Sequence, residues 1–169
     1  MYKLLSHNDL DGVGCGILAK LAFNDQVKIR YNSVTALDRE IEFFLENEQS
    51  KSFLFITDLS PNEGNEKRID DYFQATGNVQ LLDHHQTALH LNQYEWGKVV
   101  MEDEQGLLTS ATSLFYQYLV MHGLLEKTDV LTEFVELVRQ YDTWEWERNG
   151  NFQAQRLNAL FFLVSIEEF

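Results

Sequence analysis

The chain has 169 residues, with 13 Lys and Arg against 27 Asp and Glu and a formal net charge of −14 at pH 7. Its 44% hydrophobic and 13% aromatic residues provide enough apolar surface for one folded domain, which argues against a disordered chain. The acidic balance excludes a broad electrostatic grip on long nucleic acids, so a phosphate ligand would need a metal ion or a partner domain to bind here.

Short apolar runs alternate with segments of helical period along the first half of the chain. Four strands are predicted, at Tyr2–Ser6, Val27–Tyr31, Phe53–Thr57 and Val79–Leu82. Three amphipathic helices are predicted between them, at Val13–Phe23, Leu37–Glu48 and Asn62–Thr76. This order, with strands too apolar to have a solvated face, predicts an α/β fold: a mainly parallel β-sheet flanked by helices on both faces.

The remainder of the chain predicts a helical C-terminal part. Its helices are expected at Ser110–His122, Val130–Tyr141 and Phe152–Val164. For the third helix of the chain we expect Ser60 as N-cap, Pro61 at the first helical position and Glu63 completing a capping box. No repeat or linker interrupts the pattern, which predicts a single domain over residues 1–169.

The sequence also predicts a cytoplasmic protein without a membrane partner. No run of eighteen apolar residues occurs, and no charged and apolar leader opens the sequence. The single cysteine, Cys15, cannot form an internal disulfide, and we expect it to be a buried small residue rather than a nucleophile.

Acidic and imidazole side chains follow three of the predicted strands. His7, Asp9 and Asp11 come after the first strand with a spacing of two, Asp58 follows the third, and Asp83-His84-His85 follows the fourth. The carboxyl ends of parallel strands meet at one edge of a sheet, so these side chains should converge there. Clustered carboxylates repel one another unless a cation lies between them, which predicts a metal site.

Asp142, next to Tyr141 at the end of a helical stretch, is a further candidate ligand. Carboxylate and imidazole donors without sulfur favour Mn²⁺, with Mg²⁺ as a weaker candidate. Two such ions roughly 3.5–4 Å apart can activate water and bind a phosphoryl group. The pattern therefore favours metal-dependent phosphate chemistry.

Several of these signals have other interpretations. The acids after the first strand could form a turn that caps the next helix, and single aspartates such as Asp58 and Asp142 often cap or end helices.

Gly14-Cys15-Gly16-Ile17-Leu18-Ala19 fits the pattern G-x-G-x-x-A of dinucleotide-binding oxidoreductases, although Asp9 and Asp11 would repel a pyrophosphate there. The segment Thr109–Ser113 could face the metal cleft, although helix capping is favoured. Trp96, Trp144 and Trp146 could stack on a base, although core packing is more common.

The ordered series His7-x-Asp9-x-Asp11-Gly12, Asp58, Asp83-His84-His85 and Asp142 resembles the DHH phosphoesterase superfamily. This superfamily includes exonucleases, family II inorganic pyrophosphatases and oligoribonucleases that degrade nanoRNA. The resemblance spans most of the chain and is greatest to the bacterial oligoribonuclease and phosphoadenosine-phosphatase branch, through Ser6–Gly12 and Tyr141–Trp144.

The resemblance implies a role for each residue of the series. It implies one manganese ion held by His7, Asp9 and Asp58, and a second held by Asp11, Asp58, His84 and Asp142. Asp58 would bridge the two ions, His85 would contact the substrate phosphate or assist the leaving group, and Asp83 would orient the imidazoles. The implied reaction is hydrolysis of phosphodiester or phosphomonoester bonds in short oligonucleotides or small nucleotides, by a hydroxide that two manganese ions activate.

Two alternatives stay open within this resemblance: an inorganic pyrophosphatase-like hydrolase, and a noncatalytic metal-binding or interaction domain that retains the fold. Family enzymes usually add a C-terminal substrate-binding domain with a glycine-rich, histidine-containing motif, which these residues do not match. The resemblance thus implies a catalytic domain whose partner domain in the full-length chain positions the substrate. On its own such a domain would be weakly active and would not bind long nucleic acid tightly.

Overall fold

The computed structural model describes residues 1–47, 52–166 and 169. Its centre is a five-stranded, all-parallel sheet with strand order β2-β1-β3-β4-β5. The strands are β1 Tyr2–His7, β2 Val27–Asn32, β3 Phe53–Thr57, β4 Val79–Asp83 and β5 Gly97–Val99. The predicted α/β class is confirmed, and each of the four predicted strands is observed to within one residue. β5 was not predicted, because three residues that include a glycine and an exposed lysine give no apolar run.

Seven α-helices occur in the described part of the chain. They are α1 Leu10–Phe23, α2 Leu37–Asn47, α3 Glu63–Thr76, α4 Ala111–Met121, α5 Asp129–Asp142, α6 Glu145–Asn149 and α7 Phe152–Phe161. Two 3-10 helices, Asn24–Gln26 and Gln86–Gln93, complete the helical segments. The predicted helices are present, although Glu48, the predicted end of the second, lies outside the described residues. The five-residue α6 was too short to show a period.

The predicted range of α3, Asn62–Thr76, is observed to within one residue, but the predicted N-cap, Ser60, was wrong, and Pro61 lies before the helix. The N-cap is Asn62, whose side chain accepts a hydrogen bond from the Asn65 amide, and the helix begins at Glu63. The backbone N–H of Asn62 donates a hydrogen bond to the Asp38 carboxylate of α2, so this N–H has a partner outside α3. The N-cap therefore lies two residues later than predicted, at the residue whose amide Asp38 binds.

Alternate strand residues pack on opposite faces of the sheet, and helices cover both. Leu5, Ile56 and Leu81 contribute to the core beneath α2 and α3, and Leu4, Phe55 and Leu82 contribute to the core beneath α1 and α4. This two-sided burial explains why the strands read as continuous apolar runs. Among the described helices, none is both long and apolar enough to cross a lipid bilayer.

Candidate metal centre

The register of the sheet brings the ends of β1, β3 and β4 to one level. Ser6 of β1 is paired with Thr57 of β3, and Thr57 with Leu82 of β4. The residues that follow these three are His7, Asp58 and Asp83. Because the strands are parallel and neighbouring, the three polar side chains emerge together at the carboxyl edge of the sheet, where ligands bind in open α/β folds.

The first group of candidate ligands comprises His7, Asp9 and Asp58, whose donor atoms lie within 4.8 Å of one another. Nδ1 of His7 is 2.6 Å from Oδ2 of Asp9 and 3.5 Å from Oδ2 of Asp58. Asp9 is also the N-cap of α1, since its Oδ1 accepts a hydrogen bond from the Gly12 amide. The capping interpretation and the ligand interpretation of Asp9 are thus compatible with one another.

The second group of candidate ligands surrounds the His84 ring. Nε2 of His84 lies 3.6 Å from Oδ2 of Asp11, 3.4 Å from Oδ1 of Asp58 and 3.4 Å from Oδ2 of Asp142. Asp58 therefore presents one carboxylate oxygen to His7 and the other to His84. This arrangement places Asp58 between the two groups.

Asp83 and His85 flank the same cluster. Oδ1 of Asp83 accepts hydrogen bonds from the backbone amides of His84 and His85 and lies 2.7 Å from Nδ1 of His85. Asp83 is fully buried, whereas the side chain of His85 is half-exposed. His85 lines a cleft of about 160 Å³ together with His7, Asp58, Ser60 and Thr87. It is thus the imidazole of the DHH triplet that a ligand in the cleft can reach.

The cluster concentrates negative charge in a buried place. Burial and the neighbouring Asp11 carboxylate raise the pKa of Asp58 well above its usual range, and burial likewise raises the pKa of Asp11. Burial, with the charge of Asp11, raises the pKa of Asp142 to about 8. The carboxylates of Asp58 and Asp9 beside the His7 ring raise the pKa of His7 to about 10. Burial and mutual repulsion thus disfavour the charged carboxylates, and a cation bound between them would favour the charged forms.

The donor atoms fit a divalent cation. Oδ2 of Asp58 and Nε2 of His84 are buried and have no hydrogen-bond partner in the described part of the chain. Buried polar atoms are nearly always hydrogen-bonded, and coordination of a cation would satisfy these two. Carboxylate oxygens and imidazole nitrogens, with no thiolate among the clustered groups, are donors for Mn²⁺ or Mg²⁺.

Two supports for this cluster were not predicted. The backbone amides of Ala111 and Thr112, at the start of α4, donate to the two carboxylate oxygens of Asp11. Ser110 caps α4, as the sequence favoured, so Thr109–Ser113 includes both a cap and a contact with the cluster. The hydroxyl-rich composition of this segment was the available signal, but nothing in the sequence specified which acid it meets.

The second support is Arg139 of α5, which stabilises the end of the helix where Asp142 is the last residue. The buried Arg139 guanidinium donates to the carboxylates of Glu136 and Glu145 and to the carbonyl oxygen of Leu108, just before α4. Trp144, between Asp142 and Glu145, has a left-handed backbone with φ of 62°. Arg139 thus ties the turn after Asp142 to the segment that precedes α4.

The remaining sequence candidates have structural roles or separate positions. Gly14 and Gly16 face side chains of the same chain, Thr112 and Tyr31, where a Cβ would approach to 2.4 and 1.9 Å. These two side chains fill the space beside the glycines that the pyrophosphate of a dinucleotide would need, which argues against the dinucleotide-binding interpretation. Cys15 is buried, as expected. Trp96 is buried, and Trp146 stacks near Tyr141, whereas Trp144 is 68% exposed.

Comparison with known proteins identifies curated relatives and solved structures that the chain is similar to. No family model matches the chain. The chain is 59% identical over 172 residues to Oligoribonuclease NrnB of Bacillus subtilis, a match that covers all of this chain and 43% of the relative. It is 28% identical over 160 residues to a 3',5'-cyclic-nucleotide phosphodiesterase of Helicobacter pylori, covering 86% of this chain and 44% of the relative.

The fold is similar to that of an uncharacterized protein from Helicobacter pylori G27, known from a crystal structure. The TM-score is 0.68 with 26% sequence identity, over 85% of this chain and 44% of that one. The chain thus spans less than half the length of the curated relatives that it matches.

Proposed function

We propose that the chain forms a catalytic domain of the DHH phosphoesterase type over residues 1–169, because its whole length is similar to Oligoribonuclease NrnB and it carries the ordered acidic and histidine series of that superfamily. Its proposed reaction is metal-dependent hydrolysis of phosphodiester or phosphomonoester bonds in short oligonucleotides or small nucleotides. The observation that carries this proposal is the placement of Asp58, with one oxygen beside His7 and the other beside His84. A shared carboxylate of this kind suits a centre for two cations.

The proposed ligands follow the two groups of donor atoms. One manganese ion would be held by His7, Asp9 and Asp58, and a second by Asp11, Asp58, His84 and Asp142. When bound, the ions would supply an activated water and neutralise charge on the phosphoryl oxygens. Manganese is preferred over magnesium because imidazole contributes to both groups, and magnesium favours all-oxygen coordination.

The chain's own residues would orient the substrate and manage one proton. Asp83 engages Nδ1 of His85, so Nε2 is the atom through which His85 can donate to a phosphate oxygen or to the leaving group. The hydrogen bond with Asp83 raises the pKa of His85, which favours the protonated, donating form. Asp83 itself would act as a positioning residue, because its other contacts are the amides of His84 and His85.

The substrate class is proposed from the relatives and from the cleft. One relative is named an oligoribonuclease and the other a cyclic-nucleotide phosphodiesterase, and both names describe hydrolysis at a nucleotide phosphate. The cleft of about 160 Å³ beside His85 is small, which suits one phosphate and its immediate surroundings rather than a long strand. We propose that a second, substrate-binding domain supplies the remaining contacts, as the greater length of the relatives suggests.

The test measures hydrolysis by the purified protein of short RNAs, a cyclic nucleotide, bis(p-nitrophenyl) phosphate and pyrophosphate, each with Mn²⁺, Mg²⁺ or EDTA. We expect Mn²⁺-dependent hydrolysis of the RNAs or the phosphodiester, and none in EDTA. Asp58→Asn should lower kcat/KM at least about 100-fold, because a shared ligand stabilises the charge at both sites. Asp71→Asn is the matched control, since Asp71 is exposed, lies away from the cluster and forms an ion pair with Lys67.

The outcomes separate the alternatives. Mn²⁺ binding with no turnover of any substrate would instead identify a noncatalytic metal-binding domain. Turnover of pyrophosphate alone would identify a pyrophosphatase-like hydrolase. Equal activity of the wild type and Asp58→Asn would refute the shared-ligand role.

A further inference from the structure

Asp11 is held by more contacts than any sequence signal indicated. It is 1% exposed, its Oδ2 accepts a hydrogen bond from the Ala111 amide at 2.7 Å, and its Oδ1 accepts one from the Thr112 amide at 2.9 Å. Since consecutive amides bind different oxygens of one carboxylate, they fix the rotation of the carboxylate plane. The start of α4 thus determines how Asp11 faces the cluster.

Thr112 also binds the main chain of the same residue. Its hydroxyl donates to the backbone carbonyl oxygen of Asp11 at 2.6 Å, and the Thr112 side chain is fully buried. One residue therefore holds Asp11 at two points, through its amide at the carboxylate and through its hydroxyl at the carbonyl. Contact at two points restricts both the position of the Asp11 backbone and the direction of its side chain.

The close approach of Thr112 depends on Gly14. A Cβ at this position would lie 2.4 Å from Oγ1 and 3.1 Å from Cγ2 of Thr112. Gly14 lies inside α1 and has no positive φ, so its backbone conformation does not require glycine. Glycine inside a helix is less favourable than alanine, and the space that it leaves for Thr112 is a physical reason for its presence.

Asp11 needs such a support because its neighbours repel it. Oxygens of Asp58 and Asp142 each lie 3.4 Å from Nε2 of His84, and Oδ2 of Asp11 lies 3.6 Å from the same atom. Each oxygen of Asp11 already accepts one hydrogen bond from a backbone amide. The second lone pair of Oδ2 is therefore available on the side that faces His84 and Asp142. A carboxylate without these bonds could rotate away from the other acids.

We propose that Thr112 is a positioning residue that, with the space provided by Gly14, orients Asp11 for cation binding; this inference rests on the proposed metal-dependent function. Thr112→Val removes the hydroxyl and keeps the amide, the branching and the volume. Partners that orient a metal ligand typically contribute 10–100-fold to affinity, so we expect about 10-fold weaker Mn²⁺ binding. Thr112→Ser retains a hydroxyl and should bind Mn²⁺ nearly as the wild type does.

The experiment measures Mn²⁺ affinity by calorimetry and by the spin-resonance signal of free Mn²⁺, with circular dichroism as the check of folding. Thr109→Val is the matched control. Thr109 is also a buried threonine whose hydroxyl donates to a main-chain carbonyl, that of Val100, and it precedes α4 without contacting Asp11 in any described hydrogen bond. Its substitution should leave Mn²⁺ affinity within about twofold of the wild type, because it removes no support of a ligand.

Gly14→Ala provides a second variant that keeps the Thr112 hydroxyl but displaces it. If both substitutions act through the same contact, their effects on Mn²⁺ affinity should not add in the double variant. Unchanged affinity in Thr112→Val, equal loss in Thr109→Val, or no recovery in Thr112→Ser would overturn the positioning role while leaving the proposed function in place. A folded wild type that binds no Mn²⁺ would overturn the proposed function and this inference with it.

Discussion

Arg139 offers a direct test of how the turn after Asp142 is stabilised. Its side chain is 8% exposed and donates to both oxygens of Glu136, to Glu145 and, at 2.7 Å, to the carbonyl of Leu108. Arg139→Met keeps most of the side-chain length and removes the charge and all of the donors. It leaves the buried Glu145 carboxylate and the Leu108 carbonyl with fewer partners.

The expected magnitude follows from the two acidic partners. Removing one member of a buried ion pair costs about 3–5 kcal/mol, because the remaining charge stays buried. Glu145 retains Arg148 at 2.7 Å, and the side chain of Glu136 is 45% exposed and can be hydrated. The lower end, about 3 kcal/mol of unfolding free energy, is therefore expected. For a domain of this size it corresponds to a fall of about 6–12 °C in Tm.

Urea unfolding followed by circular dichroism measures the change, and Arg148→Met is the matched control. Arg148 binds the same Glu145 carboxylate, but its side chain is 75% exposed, so its loss should cost no more than about 1 kcal/mol. A cost below about 1 kcal/mol for Arg139→Met, or equal costs for both variants, would refute the idea that burial of this pair makes Arg139 important.

Three further measurements test other parts of the structure. In EDTA at pH 7, Asp58→Asn should raise the free energy of unfolding by about 1 kcal/mol, because burial raises the pKa of Asp58 and an amide neither ionises nor has to take up a proton on folding; urea unfolding showing a loss would contradict this. The hydrogen bond with Glu66 raises the pKa of His90, so this pair stabilises the fold below the unfolded pKa near 6.5, and the contribution is lost as pH rises through the folded pKa. His90→Gln should therefore lower the free energy of unfolding at pH 5.5 by about 0.5 kcal/mol and have less effect at pH 9. A larger effect at pH 9 would contradict stabilisation by the protonated His90–Glu66 pair. Gly77→Ala should lower the free energy of unfolding by about 1 kcal/mol, because φ is 68° and an added Cβ meets no atom within 4 Å, so only backbone strain changes. Calorimetry measures the change, and an unchanged Tm would contradict this.

The sequence predicted the sheet and the convergence of the acids because both depend on local patterns. Apolar runs identified β1 to β4, and the carboxyl-edge rule for parallel strands then grouped His7, Asp58 and the DHH triplet without further information. The structure brings all eight candidate residues, including Asp142, into one cluster. Their roles as ligands stay a prediction until a metal ion is measured.

The missed features depend on contacts between distant segments. The contact of Asp11 with Thr112 joins residues 101 positions apart, and no periodicity in either segment indicates it. Arg139 could have been interpreted as an ordinary surface cation of an amphipathic helix, since only the arrangement of α5 against the segment before α4 buries it. The N-cap of α3 was predicted wrongly for a similar reason, because the amide of the actual N-cap, Asn62, donates to Asp38 of another helix.

The alignment of Ser6, Thr57 and Leu82 across three strands has a consequence for which changes of length the protein tolerates. One residue inserted within β3 would shift Asp58 by about 3.3 Å and turn successive side chains to opposite faces of the sheet. The same insertion in an exposed turn far from the carboxyl edge, such as the one around Gly77 between α3 and β4, would leave this alignment intact. Chain length should therefore vary freely at the amino edge of the sheet and hardly at all inside its central strands.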